Sequence, residues 1–468
     1  MQIQLFGPQQ GGRSSNLNAQ RTINCFPVLD PSGKSVHALY GSPGSTLFTT
    51  CGDGPIRGAF VQNNVAYVVS GSGFYKLNYS QGETTATSLL LGTLSSTSGA
   101  VSFAGSTTQI MVADNLSIGY VYTIATGGFA RIEDANFLGA TVVGYLSGFA
   151  VAFKAGDQVF SISDLNDFTA WDALDFASAE ASPDNLNGMI VDHGELWLFG
   201  LNTIEIWQNT GDSLFTLQRL GNTVIERGCM AIRSPAKVDS SIFWLGDDGV
   251  VYRANGYAAQ RISNEGVEHS IHTMPTAEDA VGFTFDLEGH KFYALSFPSG
   301  DKTHIYDIAT GLWHERRSGS YRWNASTVFS LRSNRIAGDL YNGKLYLLSM
   351  DVYAENGTRM SRSQVFPAIH QDEKMLYHRR VDFDFEVGYG LTTGQGSDPI
   401  VIVDWSDDGG HTWSNQMEVK IGKIGNYGYR ATLNRLGASK SRNYRIHFDD
   451  PAKFVLVGAR ADIEAGYS

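Results

Sequence analysis

A unit of two short apolar strands joined by a glycine-containing turn recurs along most of this chain. Clear copies are NNVAYVVSGSGFYKLN at 63–78 and HGELWLFGLNTIEIWQN at 193–209. Neighbouring copies are centred 39 to 53 residues apart. A strand repeat of this length is typical of propeller blades, because one small sheet cannot bury both of its faces and must stack against the next. The copies are centred on Tyr67, Met111, Ala150, Trp197, Trp244, Tyr293 and Tyr346.

The repeat therefore predicts an all-β chain with a β-propeller of six or seven blades. The apolar runs LWLF at 196–199 and FWL at 243–245 are short and are followed by Gly, which favours strands over helices. Asp248-Gly249 is a good hairpin turn, because Gly supplies the positive φ that the turn requires. A row of β-sandwiches with similar hairpin spacing is the alternative that this pattern leaves open.

Both ends of the chain fall outside the repeat. Residues 1–50 are predicted to form an extended N-terminal arm that docks onto another component, and residues 51–355 the propeller. Residues 356–468 contain strand candidates such as DPIVIVDW at 398–405 and FVLV at 454–457. We expect this last segment to be a separate C-terminal β-domain.

One motif in the C-terminal segment raises the question of an enzyme. The stretch WSDDGGHTW at 405–413 fits Ser-x-Asp-x-Gly-x-Thr-Trp, and it resembles the Asp-box hairpin of sialidases and other glycosidase propellers. In such a turn an Asp side chain caps backbone amides, Gly takes a positive φ and Trp packs beneath. We expect Asp407 or Asp408 to provide the cap. The predicted turn residues are Ser406, Asp407, Gly409, Thr412 and Trp413.

Sialidase chemistry would need arginines that converge on a substrate carboxylate, together with a nucleophile and an acid. The motif occurs once and outside the repeat, so it predicts a structural turn. The arginines beside turns and strand ends of the repeat, where a solvated charge is expected, are Arg227, Arg253, Arg261, Arg316 and Arg317. The stretch EHSIH at 268–272 lacks a His-Glu-x-x-His pattern. We predict a protein that is not an enzyme, with no catalytic residue, cofactor or metal site.

The charge balance is acidic. The chain has 35 Lys and Arg against 47 Asp and Glu, a net charge of −12. A surface that wraps DNA needs excess cations, so this chain is a poor candidate for such a surface, although an acidic protein can surround DNA without gripping it. Cys25, Cys51 and Cys229 are far apart, which predicts reduced thiols in a protein folded in a cytoplasm. The N-terminus lacks a signal-peptide core, and no apolar run approaches the ~20 residues of a bilayer span, so no membrane anchor is expected.

Several stretches in a fixed order resemble one family, the packaged-DNA stabilisation proteins of short-tailed phages, also called tail hub, tail accessory or nozzle proteins. Cys25-Phe26 departs from the Leu-Tyr that is usual in the family, while YGSPG at 40–44 follows as expected. The resemblance spans nearly the whole chain. The stretches are 18–27, 163–184, 191–200, 243–263, 307–317, 405–416 and 430–446.

This resemblance implies a structural virion protein of the phage tail, assembled in the bacterial cytoplasm. It implies a homo-oligomeric ring, a hexamer, below the portal and its adaptor, which extends the DNA channel, retains packaged DNA and anchors distal tail parts. The implied partners are the adaptor protein, a tail fibre or tailspike, a tail needle in some relatives, and double-stranded DNA that passes without sequence-specific binding. The candidate ring contacts are Arg21, Arg430, Arg435, Arg442 and Arg445, for which solvated strand-face charges are the alternative.

A propeller that binds or cleaves glycans on the host surface is the alternative function, and a receptor-binding module of the virion is a third. A glycan site would require arginines and carboxylates gathered in one pocket. A ring on the portal axis would favour the tail hub, whereas peripheral trimers would favour the other two.

Overall fold

The structure is a computed structural model, and it describes residues 2–7, 11–15, 18–30, 36–179, 183–212, 215–221, 223–372 and 374–466. Within these ranges the chain is built of strands, with a single α-helix, Glu265–His272. Asn264 caps the start of this helix by accepting a hydrogen bond from the Val267 amide. Among the described residues, no helix has the length and apolarity needed to cross a membrane.

Seven four-stranded antiparallel sheets form the blades of a propeller in the described part of the chain. Blade 1 consists of Ile56–Gln62, Val65–Ser70, Gly73–Asn78 and Thr87–Thr93, and blade 2 of Ser102–Gly105, Gln109–Ala113, Gly119–Thr123 and Gly128–Arg131. Blade 3 consists of Val142–Leu146, Phe149–Phe153, Val159–Asp164 and Asp167–Ser178, and blade 4 of Leu186–Asp192, Glu195–Gly200, Ile204–Asn209 and Leu217–Arg219. Blade 5 consists of Ala236–Val238, Ser241–Leu245, Val251–Asn255 and Ala258–Arg261. Blade 6 consists of Val281–Leu287, His290–Phe297, Lys302–Asp307 and Leu312–Glu315, and blade 7 of Ala325–Leu331, Asn334–Asp339, Lys344–Ser349 and Gly44–Thr50.

The first strands of successive blades contact one another in a closed ring, so they surround the propeller axis. Each junction between neighbouring blades is a separate hydrophobic core. Phe74 and Tyr122 fill the junction of blades 1 and 2, and Phe199 and Trp244 fill that of blades 4 and 5. Burying one such side chain fully contributes about 1.5–3 kcal/mol, which explains why the aromatic residues recur with the blades.

The predicted propeller is confirmed, with the blade number settled at seven. The seventh copy of the repeat was placed one strand too late, because Tyr346 lies in the third strand of its blade rather than in the second. The second strand of blade 7, Asn334–Asp339, contains Arg, Asn and Asp and is therefore a weak apolar signal. This displacement explains the 53-residue spacing that ends the series.

The expected division at residue 50 differs from the structure. Gly44–Thr50 pairs antiparallel with Lys344–Ser349 and forms the outer strand of blade 7. The ring of blades is thus closed by a strand from the opposite end of the propeller sequence. Closure of this kind stabilises the ring because blade 7 cannot complete its sheet without the N-terminal segment.

The C-terminal segment folds as a β-sandwich that incorporates most of the predicted arm. One sheet contains Gln2–Ile3, Cys25–Leu29, His37–Gly41, Val455–Ala465, Leu376–Phe385, Ala431–Asn434 and Ala438–Ser439. The other contains Arg21–Ile23, Arg362–Val365, Ser441–Phe448, Ile400–Ser406, Met417–Lys420 and Ile369–His370. Ile3 and Leu5 are buried in the shared core. The segment 1–50 is therefore not a free arm, because its strands are integral to both sheets.

Candidate functional site at the junction of propeller and sandwich

The propeller and the sandwich share one continuous sheet. Arg21–Ile23 pairs with Arg362–Val365 of the sandwich on one side and with the outer strand of blade 6 on the other, where Ile23 is opposite Glu315. Four blade strands and six sandwich strands are joined in this way. The N-terminal segment thus connects the two bodies by backbone hydrogen bonds as well as by side chains.

Arg21 and Glu315 form a bidentate ion pair where the sandwich strand meets blade 6. The Nε and Nη2 atoms of Arg21 donate to the two carboxylate oxygens of Glu315 at 2.7 and 2.8 Å, and Arg317 donates to the same carboxylate at 3.2 Å. Burial raises the pKa of Glu315, but the hydrogen bond and charge of Arg21 outweigh it and lower the pKa to about 2. Arg21, predicted as a ring contact, is therefore engaged within its own chain.

Arg316 is buried where blade 6 meets the segments that connect blade 7 to the sandwich, and its predicted role as a solvated charge is wrong. Its side chain is 2% exposed. It donates to Glu355 at 2.8 Å and to the carbonyl of Pro43 at 3.0 Å, and its guanidinium lies 5.3 Å from the ring of Trp323. A buried guanidinium of this kind is retained only with such partners, since an unpaired buried charge is costly.

Two glycines of the YGSPG stretch allow the chain to pass between these groups. A Cβ atom at Gly41 would lie 2.6 Å from Nε of buried Arg362, and one at Gly44 would lie 2.3 Å from the carbonyl oxygen of Val352. Gly44 is the more restrictive of the two, because the obstructing atom belongs to backbone that cannot move aside. Any side chain there would push the closing strand off blade 7.

The Asp-box is a local turn, and Asp408 provides its cap. Asp408 accepts hydrogen bonds from the amide of Thr412 at 2.9 Å and from its hydroxyl at 2.6 Å, which lower the pKa of this carboxyl well below its usual range. The Ser406 hydroxyl accepts from the Gly410 amide at 2.7 Å. The residues that fit the motif are therefore Asp408 and Gly410, rather than the predicted Asp407 and Gly409. The φ values of Gly409 and Gly410 are both positive, at 71° and 90°.

Asp407 has a different function, because it is the counter-ion of Arg442. Arg442 is 2% exposed and donates to both Asp407 oxygens, at 2.6 and 2.8 Å. It also donates to the Leu436 carbonyl at 2.6 Å and lies 5.0 Å from the Trp405 ring centre. Arg442 is therefore a core residue of the sandwich and does not fit the predicted role of a ring contact.

Arg445 covers the last Asp-box residue. Its guanidinium lies 3.7 Å from the ring centre of Trp413 and donates to Asp404 at 2.8 and 2.6 Å. Of the five candidate ring contacts, this leaves Arg430 and Arg435 as exposed side chains. Their sequence neighbourhood gave no means of separating them from the paired arginines, because the partners lie on other strands.

A cleft of about 460 Å³ lies between the N-terminal segment, helix Glu265–His272 and the Asp-box. Inside it, Nζ of Lys302 donates to the Ser270 hydroxyl at 2.9 Å, and Nε2 of His304 is 3.1 Å from the same hydroxyl. Burial lowers the pKa of Lys302 and lowers that of His304 to about 4. Sequence reasoning missed these residues because they alternate on one strand of blade 6 and resemble ordinary strand polarity. The cluster holds the helix against the blade.

The arginines that a sialidase site would have to gather are dispersed in the structure. Arg227 lies near Asp248 at 3.8 Å, Arg253 near Asp239 at 3.6 Å, and Arg261 pairs with Glu268 at 2.7 Å. These three arginines thus have three different acidic partners. In the part of the chain that the structure describes, no group of three or more His, Cys, Asp or Glu side chains is arranged to hold a metal ion.

Two solved structures are similar to part of this chain. The WD40 β-propeller domain of Doa1 is similar over 66% of this chain and 97% of its own length, with 10% identity and a TM-score of 0.45. The computationally designed Ika8 protein is similar over 70% of this chain and 99% of its own, with 12% identity and a TM-score of 0.41. A comparison with curated protein sequences gives no match.

Family models match both bodies of the chain. The model described as "Bacteriophage P22 Gp10, beta-propeller" matches residues 1–353, and the one described as "Bacteriophage P22 Gp10, beta-sandwich" matches residues 362–464. The first match includes the N-terminal strands that lie in the sandwich, which agrees with the sheet that the propeller and the sandwich share. The family predicted from the sequence stretches is confirmed: this chain belongs to the bacteriophage P22 Gp10 family, structural phage proteins of the virion that stabilise packaged DNA.

Proposed function

We propose that this protein forms a homo-oligomeric ring, a hexamer, in the phage tail below the portal and its adaptor. The ring extends the DNA channel, retains packaged DNA and anchors distal tail parts such as a fibre, tailspike or needle. It is assembled from chains folded in the bacterial cytoplasm, and it acts as a structural part rather than as an enzyme.

The observation that carries this proposal is the sheet that the propeller and the sandwich share through the strand Arg21–Ile23. A part that holds a packed genome must transmit an outward load, because duplex DNA carries one negative charge per ~1.7 Å of axis and repels itself. Backbone pairing between Ile23 and Glu315 and the Arg21–Glu315 ion pair join the propeller to the sandwich. Two bodies joined in this way move as one, which suits a load-bearing ring subunit.

The acidic charge of the chain supports its proposed role in extending the DNA channel. The net charge is −12, so the chain as a whole repels phosphate, which favours the sliding of DNA over its binding. A channel lined with arginines would instead bind the phosphate backbone of DNA and slow the passage of the DNA. The N-terminal segment and the sandwich together are the face that we assign to the adaptor.

An exposed apolar patch on the sandwich supports a contact with a second copy of the chain. Ile424 is 53% exposed and Tyr427 is 71% exposed, and the rings of Tyr427 and Tyr389 lie 6.5 Å apart. Leu391 and Tyr429 are exposed in the same loops. Tyrosine-rich patches are enriched at protein interfaces, and Arg430 follows this patch directly. We name these residues the sandwich patch: Tyr389, Leu391, Ile424, Tyr427 and Tyr429.

The test is a phage that lacks this gene. We expect heads that fill with DNA and then lose it over hours, in particles without a distal tail, when they are imaged soon after packaging and again later. Electron microscopy of wild-type tails should show the protein as a ring on the portal axis. Heads that never fill would indicate a packaging function instead, and heads that stay full and infectious would contradict a function in retention.

A further inference from the structure

The seven first strands of the blades enclose a cavity of about 500 Å³ on the propeller axis, lined by residues from every blade. The charged residues of its lining are Arg57, Arg233 and Lys237, and no Asp or Glu is among the lining residues. A second cavity of about 300 Å³ adjoins it, shares Arg57 and adds Arg322. In a chain with a net charge of −12, this is a local concentration of positive charge.

Arg233 reaches across the axis. It precedes the first strand of blade 5, yet its Nη2 donates to the carbonyls of Ala100 at 3.4 Å and Thr141 at 3.0 Å, which precede the first strands of blades 2 and 3. Burial and the nearby charge of Arg57 lower the pKa of Arg233 to about 10. Among the described residues, Arg233 has no carboxylate partner, and its Nε and Nη1 donate to no protein acceptor.

Arg57 differs from Arg233 because its donors are already used. They bond to the carbonyls of Gly71, Ser96 and Gly99, to the Ser96 hydroxyl and to the Asn115 side chain. Most of these partners are neutral backbone groups, so Arg57 fixes the loops between blades 1 and 2. Its charge adds to the potential at the axis, and the nearby carboxylate of Asp114 offsets part of it. Arg322 donates through Nη1 to the Ser296 hydroxyl at 3.1 Å and forms no ion pair in the described part of the chain.

We propose that this axial site binds a phosphate-type oxyanion, held by the free donors of Arg233 and attracted by the charges of Arg57 and of Arg322 in the adjoining cavity. Guanidinium groups present paired donors that match the oxygens of such an anion. The cavities accommodate a small ion, or a phosphate carried by a sugar or a nucleotide. Cavities of about 500 and 300 Å³ are too small to accommodate duplex DNA. The site is independent of the proposed ring.

The experiment titrates full-length protein in chloride buffer with inorganic phosphate, glucose 6-phosphate and adenosine monophosphate by calorimetry, with the shift in Tm as a second readout. We expect saturable binding that weakens at least tenfold in Arg233→Gln and also weakens in Arg322→Gln. Arg219→Gln is the matched control, because Arg219 is an exposed arginine on an outer blade strand. Tighter binding of one of the organic phosphates would identify a carried phosphate as the natural ligand, and preference for the inorganic ion would identify a free one.

Arg322→Gln leaves the Arg233 contacts to Ala100 and Thr141 in place, so this variant reports on binding even if Arg233→Gln is unstable. The proposal is overturned if phosphate does not bind to the wild-type protein. It is also overturned if folded Arg233→Gln and Arg322→Gln, with far-ultraviolet spectra like the wild type, bind phosphate as tightly as Arg219→Gln does.

Discussion

Asp407 holds the buried guanidinium of Arg442 through two hydrogen bonds of 2.6 and 2.8 Å, although the two residues belong to different segments of the sandwich. The adjacent Asp408 faces the turn and binds Thr412. Two neighbouring carboxylates of one motif thus serve two structural purposes, one in the core and one in the local turn.

Asp407→Ala should destabilise the sandwich by about 2–3 kcal/mol, because it leaves a buried charge without its partner. Asp408→Ala should cost less, since it removes hydrogen bonds to Ser406 and Thr412 within the turn and leaves no buried charge unpaired. Urea unfolding, followed by the fluorescence of the tryptophans, measures both. Equal losses in the two variants would contradict the assignment of the core function to Asp407.

Glu315 should make the stability of the junction dependent on pH. Its pKa in the folded protein, about 2, lies below the ordinary 4.5, so its stabilisation is complete above pH 4.5 and is lost as the pH falls toward 2. A shift of this size corresponds to a stabilisation on the order of 3 kcal/mol at neutral pH. The difference in unfolding free energy between wild type and Glu315→Gln should shrink over that range, and a difference that stays constant would argue against the Arg21 pair.

Phe48→Ala should destabilise the propeller by about 3–5 kcal/mol, because Phe48 is 1% exposed in the core between blades 7 and 1 and its loss leaves a cavity. Leu47→Ala is the matched control, since Leu47 is 42% exposed on the same closing strand. Differential scanning calorimetry compares the two. A small effect of Phe48→Ala would mean that the N-terminal strand contributes little to ring closure.

Tyr427→Ser in the sandwich patch should reduce incorporation of the protein into tails, while the Tm of the isolated chain stays within a degree or two, because the side chain is 71% exposed. Tyr341→Ser, at a 63% exposed tyrosine of blade 7, should leave incorporation unchanged. Negative-stain microscopy and protein gels of purified particles measure this. Normal tails in the Tyr427→Ser phage would show that the sandwich patch takes no part in the contact between subunits.

Much of the fold followed from local pattern. Runs such as those around Trp197 and Trp244 alternate with glycine turns at a regular spacing that is typical of stacked blades, so the chain alone favoured a propeller over the alternative row of β-sandwiches. The blade 7 copy was misplaced because the strand Asn334–Asp339 is polar for a second strand. The Asp-box was also recognisable from local pattern, because its hydrogen bonds connect residues within a few positions of each other.

The sequence by itself determined the strand repeats, the turn chemistry and the family stretches, because each depends on residues that are close along the chain. Only the tertiary structure decided which charges are paired. Arg21 meets Glu315 across 294 residues, and Arg233 extends toward Thr141 across 92, and no local pattern encodes such separations. A paired core arginine, an exposed arginine and an arginine on the propeller axis look alike in sequence, because their difference lies in burial and in partners brought by other strands.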